Sequence, residues 1–182
     1  GNPRGATETT MADLTVTYFD FPGSRGEEVR LALAIAGADF HDNRISREAF
    51  AALKPGLPFG SVPTLEITGH GVFAQSNAIL RLIGRQYGLH PEDNFEAARH
   101  DALMEAAEEL RQRLSATMRI EDAGAKRAAR EALARDYLPL WGAAVERQIG
   151  EGPFLAGARP NVADVKLHML DRWIASGAID HI

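Results

Sequence analysis

The residues of this sequence that could do chemistry are hydroxyls and helix termini, because its 182 residues include no cysteine. That excludes disulfide bonds, thiolate metal sites and a cysteine nucleophile in this chain. Any sulfur that reacts here must belong to a ligand. Two hydroxyls stand close together: Tyr18 near the end of Leu14-Thr15-Val16-Thr17-Tyr18-Phe19, and Ser24 in the turn-like Phe21-Pro22-Gly23-Ser24. A phenol donates a hydrogen bond at neutral pH without ionising, and such a bond stabilises an anionic partner. Taken alone, Tyr18 reads first as a strand aromatic that fills a core. Gln75-Ser76 opens a helical run, where free backbone N–H groups and the positive end of the helix dipole favour an anion; Ser76 serves as an N-cap in either case. The six histidines, His41, His70, His90, His100, His168 and His181, show no metal-ligand spacing. They read as surface or packing residues, and no metal is expected.

The elements that must hold these groups fall into two textures. Leu14–Phe19 alternates and is rich in β-branched and aromatic residues, as a strand requires. Glu27–Ala36 carries Val29, Leu31, Leu33 and Ile35 as its helical apolar residues, with Gly37 placed to end it in a left-handed turn. Phe40–Ile45 is a weaker second strand, and Glu48–Lys54 a short helical turn. Leu57-Pro58-Phe59-Gly60-Ser61-Val62-Pro63 is too rich in Pro and Gly for regular structure. Thr64–Ile67 and Val72–Ala74 flank Thr68-Gly69-His70-Gly71 as a hairpin, and Gln75–Tyr87 is a helix stopped by Gly88. Beyond His90-Pro91-Glu92-Asp93-Asn94 no strand signal remains. Phe95–Ile120 and Lys126–Ile149 are long amphipathic segments, and a further helix opens at Asn161. The order is βαβββα, a compact α/β layer followed by an all-α region.

Composition narrows the classes. Apolar residues are 45% and charged residues 25%, ordinary for a globular protein. A net charge of −5 with both signs interspersed argues against nucleic-acid binding, and no apolar run is long enough to span a bilayer. Residues 1–11, small and polar, lack the apolar core of a signal peptide and read as a disordered leader or a remnant of expression. A cytoplasmic location is expected, with no membrane partner.

Four landmarks, in order, resemble the soluble glutathione transferases. Thr17-Tyr18-Phe19 with Arg25-Gly26-Glu27-Glu28-Val29-Arg30-Leu31-Ala32-Leu33 is similar to the start of the sigma class and its bacterial and fungal relatives. Leu57–Leu65 is similar to the family's loop before a cis-proline strand, and Gln75-Ser76-Asn77-Ala78-Ile79 to the pair that opens its third helix. Asn161-Val162-Ala163-Asp164 resembles the capping motif of its helical domain, with Asn in place of the commoner Ser or Thr. The resemblance implies a thioredoxin-like glutathione-binding domain over residues 12–88, a linker over 89–94, and an all-α domain over 95–182. It further implies that about one terminal helix of the family pattern is missing after Ile182.

What the resemblance implies for individual residues can be stated physically. A free thiol of pKa about 8.5 is only a few per cent thiolate at neutral pH; Tyr18, donating to the glutathione sulfur, would raise that fraction. Ser24 stands as the rival activator, since some classes of the family use a serine after the first strand. A cis bond before Pro63 would present the N–H and C=O of Val62 to the cysteinyl unit of glutathione as an added strand does. Gln75 and Ser76 would take the γ-glutamyl carboxylate, and Lys54 the glycyl carboxylate. Phe50 stands where sigma enzymes usually carry Trp, and Ser61 where many relatives have Lys, which predicts weaker glutathione binding. Arg25 would aid the thiolate field. Glu105 would reach the ligand's ammonium group across a dimer interface. Phe21, Ala107 and Arg111 would line the site of a small apolar electrophile. The family reading is therefore a glutathione transferase that uses glutathione as co-substrate and acts as a homodimer. The alternatives are a non-catalytic binding module that kept the fold, or a glutathione-dependent isomerase.

Overall fold

The computed structural model describes residues 14–182, so the expected leader over residues 1–11 lies outside the described residues. The chain divides into two compact units between Ile83 and Gly84.

In the first unit, β1 (Leu14–Phe19) buries Leu14, Val16 and Tyr18 and leaves the alternate residues half-buried, the period-2 pattern of a strand. It is followed by α1 (Ser24–Ala36), β2 (His41–Ile45), α2 (Arg47–Leu53), a 3-10 turn (Lys54–Gly56), β3 (Thr64–Ile67), β4 (Gly71–Ala74) and α3 (Ser76–Tyr87). The α1 helix starts three residues earlier than the apolar pattern predicts. It ends as expected, with Gly37 at φ 67° donating to the carbonyls of Ala34 and Leu33. Ser46 caps α2 by accepting from the Ala49 N–H. The sheet is mixed, in the order β2-β1-β3-β4; β1 runs parallel to β2 and antiparallel to β3. Val29, Ala32 and Leu33 of α1, Leu65 of β3, and Ile79, Leu80 and Ile83 of α3 are buried with β1.

The edge strand β2 carries charged side chains that pair with one another and with α1. Asp42 accepts from Arg44 at 2.8 Å and from Arg30 at 2.9 Å, and Arg44 also reaches Asp20 at 3.1 Å.

The second unit takes in the last turn of α3 and contains α4 (Asn94–Met118), α5 (Ala123–Ala132), α6 (Leu138–Glu146) and α7 (Val162–Ala175). Gly84 packs tightly within its own unit. A Cβ on Gly84 would lie 2.7 Å from His90 and 3.1 Å from Val162. The Leu89 N–H donates to Gly84 O, and the Val162 N–H to Leu89 O. The expected single helix over Lys126–Ile149 is two helices joined by a π turn, Leu133–Tyr137. Pro139 has no N–H for the carbonyl four residues back, and the ladder widens just before it. Ala107, Leu110, Leu114, Leu170 and Ile179 form the core of this unit, with Trp141 and Trp173 packed against it. Lys166 on α7 is fully buried and pairs with Glu108 on α4 at 2.5 Å. Among the described residues no helix is long and apolar enough to cross a membrane.

Candidate functional site

Sheet register decides which of the singled-out residues can meet. Thr17 pairs with Thr64, and Thr64 with Ala74. The next residue on β1 is Tyr18, the residue before β3 is Pro63, and the residue after β4 is Gln75. Because these strands are antiparallel in turn, all three lie at one end of the sheet. On the other side Tyr18 pairs with Arg44 and Phe19 with Ile45, which leads to Ser46 and α2 at that same end. Tyr18, Val62-Pro63, Gln75-Ser76 and the approach to α2 are thus gathered from segments up to about sixty residues apart in sequence.

Tyr18 is 6% exposed. Its ring meets Phe19 edge-on at 5.4 Å and Phe21 at 5.6 Å, and the Arg30 guanidinium lies 5.7 Å from its centroid. Arg30 itself is buried on α1. Its Nη2 donates to Phe19 O and its Nη1 to Phe21 O, both at 3.1 Å; it also pairs with Glu27 at 3.2 Å and Asp42 at 2.9 Å. This one side chain ties the β1–α1 connection to the helix and to β2. In the sequence its signal is a cation within the apolar run Val29–Leu33.

Ser24 opens α1 at φ 57° and Gln75 precedes α3 at φ 71°, two non-glycine residues in the left-handed region. Such conformations cost energy and collect at functional sites. Ser76 is buried at the start of α3, and the Ile79 N–H donates to Gln75 O at 3.0 Å. The Val62–Pro63 bond is cis, as the resemblance implied. Phe50 is half-buried with its ring edge-on to Phe19 at 5.2 Å, and Lys54 Nζ lies 6.0 Å from the Phe50 ring. Ser61 is half-buried in the loop before β3, Arg25 is half-buried in the first turn of α1, and Phe21 is exposed. Phe19, Asp20, Phe21, Ile45, Ser46 and Arg47 line a cleft of about 240 Å³.

The remaining candidates belong to the helical unit. Glu105 is exposed on α4, Ala107 sits inside the apolar core, and Arg111 is buried with its guanidinium 6.0 Å from the Trp173 ring. Ala107 faces packed side chains of its own unit.

Two of the histidines are packing residues rather than surface ones. His90 and His100 are each 5% exposed and line a cavity of about 570 Å³ with Glu96, Arg159 and Asn161. His90 Nε2 lies 2.9 Å from Asp101 Oδ1. Burial pushes the His100 imidazole below its ordinary value, opposed by Asp164, reinforced by His90 and opposed again by Glu96 and Asp101. The folded protein therefore binds fewer protons than the unfolded chain just below pH 6.5, so stability falls as pH drops through that value. His100→Gln is expected to flatten the melting temperature between pH 7 and pH 5; an undiminished slope would assign the effect elsewhere. Among the described residues no group of three His, Asp or Glu side chains could hold a metal ion.

A four-stranded mixed sheet with helices, followed by a helical unit, and a site at one sheet end made from a tyrosine, a cis-proline segment and a helix N-terminus, define a thioredoxin-like domain joined to an all-α domain. Residues 14–85 match the family model described as glutathione S-transferase, N-terminal domain. Glutathione S-transferase 1 of Ascaris suum is 42% identical over 110 residues, 60% of this chain and 52% of that protein. The structure of prostaglandin synthase D of Nilaparvata lugens is 30% identical, with a TM-score of 0.80 over 92% of this chain and 85% of that one. A sigma-class glutathione S-transferase of Fasciola hepatica is 27% identical, with a TM-score of 0.80 over 92% and 82%. The chain belongs to the glutathione S-transferase family. It spans about half the length of the curated relatives it matches. The expected bacterial or fungal placement finds no support in these animal relatives, while the sigma-like reading has a structural neighbour of that class.

Proposed function

We propose that this protein is a sigma-like transferase that joins the sulfur of glutathione to small apolar electrophiles. The observation that carries the reading is the register: Tyr18, Val62-Pro63 and Gln75-Ser76 fall at one end of the sheet. The α3 N-terminus suits the γ-glutamyl carboxylate, the Val62 backbone suits the cysteinyl amide, and Lys54 suits the glycyl carboxylate. Tyr18 donates its O–H to the sulfur, with Ser24 as the alternative donor. The thiol proton leaves to solvent, the thiolate attacks the electrophilic carbon, a C–S bond forms, and the leaving group departs with its electron pair. Glutathione is the co-substrate, the working form is a homodimer, and the location is cytoplasmic.

A specific neighbour favours a second reading. The structure named as a prostaglandin synthase from Nilaparvata lugens matches over most of both chains, and a thiolate that attacks, rearranges its adduct and departs would serve as an isomerase with glutathione unchanged.

The test pairs retention on immobilised glutathione with turnover of a chloronitroaromatic electrophile. Retention with glutathione consumed and chloride released is expected. Retention without turnover would leave a binding module, and no retention would remove glutathione from the reading.

A further inference from the structure

The third residue of α1 is a glycine with no backbone reason to be one. Gly26 is buried, lies inside a regular helix, and has no positive φ. Alanine is the better helix former at such a position, so local propensity and sequence disagree, and such disagreements gather at functional sites.

What glycine leaves at this position is room. A Cβ built on Gly26 would stand 1.9 Å from Cδ1, 2.0 Å from Cγ and 2.6 Å from Cε1 of Tyr18. The phenol ring therefore lies across the backbone of α1 in the volume that any other residue would fill. Phe19, Phe21 and the Arg30 guanidinium also lie against the ring. The obstacle to a Cβ is the body of a buried ring near the strand backbone, not the free end of a flexible chain.

We propose that Gly26 is a positioning residue for Tyr18: the slot left by its missing side chain seats the ring, and the seat sets where the hydroxyl stands relative to a bound thiol. The inference rests on the reading of Tyr18 as thiol activator. It makes the position of the donor a property of α1 as much as of β1. Moving the ring out of the slot weakens the hydrogen bond to sulfur while leaving the carboxylate contacts of glutathione, made by other segments, in place.

The experiment compares Gly26→Ala, Tyr18→Phe and the control Gly142→Ala, a helical glycine of α6 with nothing within 4 Å of a built Cβ. The readouts are the pH midpoint of thiolate absorbance in the glutathione complex, the Kd for glutathione, and the conjugation rate against pH. Gly26→Ala is expected to raise the midpoint by about one pH unit, the sign of a weakened donor. The rate below the midpoint should fall about threefold, because a more basic thiolate returns nearly half of the loss as nucleophilicity. The Kd should change less than about twofold, and Gly142→Ala should move neither midpoint nor Kd. An unmoved midpoint in Gly26→Ala beside a raised one in Tyr18→Phe overturns the positioning role. An unmoved midpoint in Tyr18→Phe overturns instead the reading of Tyr18 on which it rests. Should Gly26→Ala not fold, the wild-type complex still decides: nuclear Overhauser contacts between the Gly26 α-protons and the Tyr18 ring are expected, and their absence overturns the inference.

Discussion

Replacing Tyr18 by Phe is expected to lower conjugation about tenfold at pH 6, a loss that shrinks as the pH rises and is gone by about 8.5. A free thiol ionises near 8.5, and a donated hydrogen bond that depresses this by about two units corresponds to roughly 2.7 kcal/mol and a hundredfold more thiolate at acid pH. Not all of that reaches the rate. A less basic thiolate is a weaker nucleophile, with a sensitivity of about 0.4–0.5, so roughly tenfold is given back. The ring of Tyr18 packs against Phe19 and Phe21 and Phe preserves that volume, so glutathione KM should stay within about twofold. The diagnostic is the pH profile rather than a single rate. A Tyr18→Phe enzyme with the wild-type rate at pH 6 would take Tyr18 out of the chemistry and leave Ser24 to be tested next.

The largest stability effect is expected at Arg30. Arg30→Ala removes the donors to Phe19 O and Phe21 O and both ion-pair contacts, to Glu27 and Asp42. Breaking a buried pair costs about 3–5 kcal/mol because the partner stays behind uncompensated. Here Glu27 and Asp42 are 24% and 28% exposed and keep some hydration, which places the loss near the lower bound of about 3 kcal/mol. Arg30→Lys should fall between, since an ammonium cannot reproduce a planar fork that serves four acceptors. The loss is read in urea by far-UV circular dichroism, because both tryptophans, Trp141 and Trp173, belong to the helical unit. A loss below about 1 kcal/mol would mean that the β1–α1 connection is held by something other than Arg30.

These two residues show what a linear reading could reach. Tyr18 was visible because an alternating strand ends there, and Gly37, Gly69 and Gly88 marked ends and turns that the backbone uses at positive φ. Element order followed from such punctuation. The meeting of Tyr18 with Val62-Pro63 and Gln75-Ser76 was supplied by resemblance, because register between distant strands is not written in any one of them. Arg30 and Gly26 escaped for a related reason. A buried arginine looks like a surface one until its four acceptors are known, and a helical glycine looks like a weak position until a ring is found lying on it. The division of the long amphipathic run into α5 and α6 is masked by Ala/Leu/Arg/Glu-rich composition on both sides, with Pro139 its one local sign. The burial of His90 and His100 depends on the packing around Asn161 and the start of α4, which no local spacing announces.

The charged side chains of β2 have a consequence for the life of the chain before it is complete. A terminal strand with open N–H and C=O groups invites a strand from another molecule. On β2 that approach would have to desolvate Arg44, Asp42 and their partner Asp20, already engaged with one another. During synthesis the sheet is made before any of the helical unit exists. In that interval the ion pairs on β2 would disfavour such pairing, an effect that adds nothing to catalysis and would be felt in soluble yield from the cell.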